Sequence, residues 1–130
     1  MFSFQNIQIS PKQLFLIDSF GALVSAFMLG IVLVEFNDWF KMPIRELYIL
    51  GGLAVVFAVY SFLNYTFFSE NWRSFMKIIA IVNLLYCVLT MSLVIYHLET
   101  MSILGIIYFI LESIIIIILA RIELKMTAVK

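Results

Sequence analysis

Four polar side chains stand inside long apolar stretches of this 130-residue chain: the carboxyls of Asp18 and Glu112 and the amides of Asn64 and Asn83. An acidic residue at mid-membrane costs about 2.5–3.5 kcal/mol on insertion scales, so one that is retained is read first as a functional group. The chemistry open to such a carboxyl is the exchange of a proton or another cation. No lysine or arginine stands deep enough to neutralise Glu112. It is therefore expected to hold its proton and donate a hydrogen bond to Asn83 or to a serine. Asp18, nearer the surface, is expected to ionise in contact with water. The competing role for all four is interhelical hydrogen bonding, at roughly 0.6 kcal/mol for an average bond within a bilayer.

The rest of the chain offers little reactive chemistry. The single Cys87 rules out an intramolecular disulfide and reads as a small packing residue. His97 and Glu99 on one short turn are too few to hold a metal, and one histidine cannot ligate a haem from both sides. No nucleophile–base pairing, Gly-rich phosphate loop or HExxH pattern is present. The expectation is a protein that is not an enzyme and carries no metal or cofactor.

The elements that position these residues follow from composition. The chain is 65% hydrophobic and 12% charged, with mean hydropathy +1.13. A soluble domain has about 45–50% apolar and about 25% charged residues, and so small a body cannot bury this much apolar surface in water. In lipid every backbone polar group must be satisfied internally, which leaves helices or closed barrels. A barrel would show alternation. Here the apolar runs are continuous, over about residues 13–34, 47–68, 75–96 and 102–122, each near the ~20 residues that cross a hydrocarbon core. The expected fold is all-α: one transmembrane domain over residues 1–130, an integral membrane four-helix bundle with antiparallel, up-down-up-down order, since short connections make sequential helices antiparallel neighbours.

The breaks fall at residues 35–46, 69–74 and 97–101, with Pro43 suited to a helix start and Trp39 and Trp72 placed as boundary aromatics. Lys12, Arg73, Lys77, Arg121, Lys125 and Lys130 fall on one side and only Lys41 and Arg45 on the other, a split of six to two. Both termini are therefore expected in the cytoplasm. The N-terminal stretch lacks a basic region ahead of its apolar run, so the first span is expected to act as an uncleaved insertion signal. There is no basic patch for nucleic acid.

Interior faces of membrane helices are marked by small and polar residues, and each span has one such stripe. These are Asp18, Ala22, Ser25 and Leu29; Gly51, Ala54, Ala58, Ser61 and Asn64 or Tyr65; Met76, Ala80, Asn83, Cys87, Thr90, Val94 and His97; and Gly105, Tyr108, Glu112, Ile116, Leu119 and Glu123. At 1.5 Å per residue, Asp18 lies ~7 Å and Glu112 ~15 Å from the inner surface. In an up-down ring the first and fourth helices are neighbours, so these carboxyls are expected to face one interior region.

The segments Asp18-Ser-Phe-Gly-Ala22 and Tyr108-Phe-Ile-Leu-Glu112 give the chain a texture that resembles small four-span bacterial inner-membrane proteins of uncharacterised role. That resemblance implies an inner or plasma membrane location and no particular activity. Two functions are then open. The favoured one is an accessory or assembly component that works by association within the bilayer, with itself or with another membrane protein. The other is a proton- or cation-coupled small carrier, working as a homodimer through Glu112 and Asp18.

Overall fold

The computed structural model describes residues 10–128. Lys130, which entered the charge asymmetry, and residues 1–9 of the N-terminal stretch lie outside the described residues. The described chain is all-helical: α1 (Pro11–Glu35), α2 (Asn37–Phe40), α3 (Ile44–Thr66), α4 (Trp72–Tyr96) and α5 (Ile103–Ala128). Four of these, all but the short α2, are long and apolar enough to cross a membrane. Their outward faces are apolar as well, with Phe20, Val56, Leu85, Val88, Ile103 and Ile115 among many exposed large side chains. A continuous apolar exterior of this kind suits contact with lipid.

Local chemistry sets the helix ends. Pro11 takes the first helical position, and Ser10 and Gln13 form a reciprocal capping box at 3.2 Å in each direction. Near its far end α1 widens into a π-helical segment, Met28–Val32, around Gly30. There α1 lies close against α3: a methyl group on Gly51 would sit 3.5 Å from the Gly30 nitrogen. The first break is structured. It contains α2, ends on Lys41 in the left-handed conformation (φ 59°), and is tied by Asn37 Nδ2 donating to the Met42 carbonyl at 2.6 Å. The break then packs onto the start of α5. The Ser102 hydroxyl donates to the Trp39 carbonyl, and any side chain at Gly105 would strike the Phe40 carbonyl. The last helix continues past the expected limit at residue 122 to Ala128, which keeps Glu123 inside the bundle.

Packing is densest between α1 and α3 and between α4 and α5. Two apolar cores tie these pairs together. Leu14, Phe15, Met76 and Ile79 form one, with Leu119 and Ile122 against it. Leu29, Leu33, Leu47, Leu50, Val94 and Phe109 belong to the other. The expected small-residue stripes of α3 and α4 are buried over Gly51–Ser61 and Met76–Val94. Along α1, Ala22 and Ser25 are only half-buried, because the space beside them is open.

Candidate functional site

Between the two cores lies a cavity of about 400 Å³. Its floor is built from polar side chains on three helices: Asp18 and Ser25 of α1, Asn83 and Tyr86 of α4, and Tyr108 and Glu112 of α5. Ala54 and Phe57 of α3 back it. Its rim is Phe20, Gly21 and Val24 of α1 with Leu111 and Ile115 of α5, all exposed. The mouth therefore opens sideways, along the loosely packed seam between α1 and α5.

Glu112 is 7% exposed and is held from two helices. Tyr108, one turn earlier on α5, donates to Oε2 at 3.2 Å. Tyr86 reaches across from α4 to donate to Oε1 at 3.4 Å, and Ser25 of α1 lies against the same carboxyl. Edge-to-face contacts fix both rings, Tyr86 on Phe57 with centroids 5.7 Å apart and Tyr108 on Phe40 at 6.2 Å. Asp18, 4% exposed, accepts from Asn83 Nδ2 at 3.3 Å through Oδ1. Hence Asn83 serves Asp18; of the partners expected for Glu112, Asn83 or a serine, the serine is present as Ser25, and two tyrosines join it.

Three of the four residues singled out from sequence, Asp18, Asn83 and Glu112, line this one cavity. Asn64 does not. It is half-buried, its Nδ2 donates to the Tyr60 carbonyl one turn back on its own helix, and it faces a separate shallow depression. Cys87 is buried and donates weakly to the Ser113 carbonyl at 3.8 Å. Sequence reasoning missed Tyr86 because it lies one residue off the stripe read along α4. It placed Glu123 on the α5 stripe yet outside the span. The steps 112, 116, 119 and 123 along one face already carried that signal. Comparison with known protein families, with characterised proteins and with solved structures finds no match.

Proposed function

We propose that the chain is an integral membrane carrier of the bacterial inner membrane. On this reading its four long helices cross up, down, up and down, both termini face the cytoplasm, and it binds an amphipathic cation at Glu112 without making or breaking bonds. The observation that carries this is the side-opening cavity with buried carboxyls on its floor. Its volume of about 400 Å³ falls in the range of about 300–1,000 Å³ usual for small-molecule sites, and apolar walls with a few convergent polar groups are the usual lining of such sites. A cation suits the Glu112 carboxyl and the faces of Tyr86 and Tyr108; an apolar body suits the remaining wall. A mouth between α1 and α5 suits a ligand that partitions into lipid. Contacts at the helix ends favour the up-down order: Lys12 near the start of α1 lies over the ring of Tyr65 near the end of α3 at 5.3 Å, and Tyr60 of α3 donates to the Phe75 carbonyl at the start of α4 at 2.9 Å.

The test uses purified protein in mild detergent and tetraphenylphosphonium as the probe cation, with triphenylphosphine oxide as its neutral counterpart. Wild type should bind the cation, and Glu112→Gln should bind it about tenfold or more weakly, which corresponds to about 1.4 kcal/mol or more. Equal affinity in both proteins, or equal affinity for the neutral compound, would overturn the reading. A second role, association with another membrane protein, draws support from the open space around Gly21 on the cavity rim. Crosslinking in native membranes that recovers a defined heterologous partner would favour it.

A further inference from the structure

A second polar site lies beside the cavity, where the first turns of α1 meet the last turns of α5. Asp18 and Glu123 face one another there. Glu123 is wholly buried, although its sequence neighbourhood is charged. Asp18 Oδ2 and both carboxyl oxygens of Glu123 have no hydrogen-bond partner among the described residues. Apolar side chains occupy the neighbouring turns: Leu14, Phe15, Met76 and Ile79 form a core there, with Leu119 and Ile122 packed on it. Buried polar groups of native proteins are almost always partnered, and each exception calls for a reason.

The groups acting on this pair are one another and the amide of Asn83 on α4. No basic side chain is among those groups. Lys77, Arg121 and Lys125 are exposed, and the Lys12 ammonium of α1 lies over the Tyr65 ring of α3. Glu112, on the same helix as Glu123, faces the cavity three turns away and is held by its tyrosines. Two facing carboxylates repel, and burying them unaccompanied is strongly unfavourable. A positive charge between them removes both penalties and gives the orphan oxygens a partner. We infer that Asp18 and Glu123 together hold one small monovalent cation, a proton or a sodium ion, with Asn83 orienting Asp18. Because Asp18 also lines the cavity, the ion site and the ligand site share a carboxyl. On the function proposed above, which this last step rests on, a bound organic cation and the small ion act on each other through Asp18.

The test is thermal melting of the full chain in mild detergent, at mildly acid and mildly alkaline pH, with sodium or with choline as the only monovalent salt. Wild type should melt lowest at alkaline pH in choline. A rise of several degrees on acidification alone identifies a proton; a rise on adding sodium at alkaline pH identifies sodium. Glu123→Gln and Asp18→Asn, which keep shape and remove charge, should each lose most of that response, while Glu112→Gln keeps it. If both pair variants fail to fold, wild type and Glu112→Gln decide: a cation response present in both sustains the site. No response in wild type, an undiminished response in Glu123→Gln or Asp18→Asn, or its loss in Glu112→Gln would overturn it. Glu112→Gln is also the variant that tests the organic-cation reading, so loss of probe binding with a retained melting response separates the two.

Discussion

Replacing Glu123 by methionine should make this protein more stable, although it removes a fully buried residue. The carboxyl of Glu123 has no hydrogen-bond donor on either oxygen among the described residues, and leaving a buried polar group unsatisfied costs about 1–3 kcal/mol. Methionine is unbranched, of similar length, and adapts to irregular apolar gaps. The apolar core of Leu14, Phe15, Met76 and Ile79, with Leu119 and Ile122 against it, occupies the neighbouring turns. Asp18 would keep its bond from Asn83 at 3.3 Å and lose a like-charged neighbour. The expected gain is therefore about 1–3 kcal/mol when the small cation is withheld. It should shrink when the cation is plentiful, because a ligand present at ten times its dissociation constant stabilises wild type by about 1.4 kcal/mol that the variant cannot receive. Reversible unfolding in mixed micelles, in choline at alkaline pH and then under cation-rich conditions, measures both quantities. A variant less stable than wild type in both conditions would refute the reasoning and show that Glu123 holds the bundle together.

Tyr86→Phe removes one of the two donors to Glu112 while keeping the ring on Phe57; it should cost about 1 kcal/mol of stability and weaken or tighten tetraphenylphosphonium binding severalfold in an equilibrium assay, and no change in either would mean that the bond carries nothing. Gly105→Ala drives a methyl group into the Phe40 carbonyl, so unfolding titrations should show a loss of about 1–3 kcal/mol. Gly21→Ala, which has open space around the new methyl, should fold as wild type does in the same titration. Single cysteines placed at Asn37 and at Asn71 in a Cys87→Ser background should label from opposite sides of intact vesicles; labelling from one side would refute the up-down order.

The four long helices were legible in the sequence because a chain this apolar leaves few options: in lipid long apolar runs must be helices, and small and polar residues must face inwards. That logic found the buried stripe from Met76 to Val94 and brought Asp18, Asn83 and Glu112 to one place. It failed where the determining facts are local or tertiary. Asn64 satisfies itself on the Tyr60 carbonyl, a local option that any asparagine in a helix has. Glu123 stands between Arg121 and Lys125, two residues from each, and charges so close together read as the end of an apolar run. Helix α5 runs on to Ala128 and turns Arg121 outwards and Glu123 inwards. The π-helical segment at Met28–Val32 has no periodic signature, because one widened turn disturbs a stripe by about one residue. Of the partners expected for Glu112, a serine is present as Ser25 and Asn83 is not; Tyr108 was on the expected stripe, whereas Tyr86 lies one residue off it.

The way polar contacts are distributed bears on how such a protein could respond to an ion. Apolar packing joins α1 to α3 and α4 to α5, and the two cores bind these pairs at either end of the cavity. The hydroxyl of Ser19, donating to the Ala58 carbonyl at 3.0 Å, adds to the α1–α3 contact and is neutral. Polar contacts from α1 to the other pair are of a different kind. They run through Asp18 to Asn83 and to Glu123, and through Ser25 to Glu112. Each involves a carboxyl, and each lies beside the seam that is already open. Neutralising or charging Asp18 or Glu123 therefore changes the attraction across the α1–α5 seam while leaving the contacts within each pair alone; a change at Glu112 also acts on the bond from Tyr86 within the α4–α5 pair. Motion is drawn from the loosely packed contacts of a structure, so the seam onto which the cavity opens is the one that the proposed small cation would tighten or release.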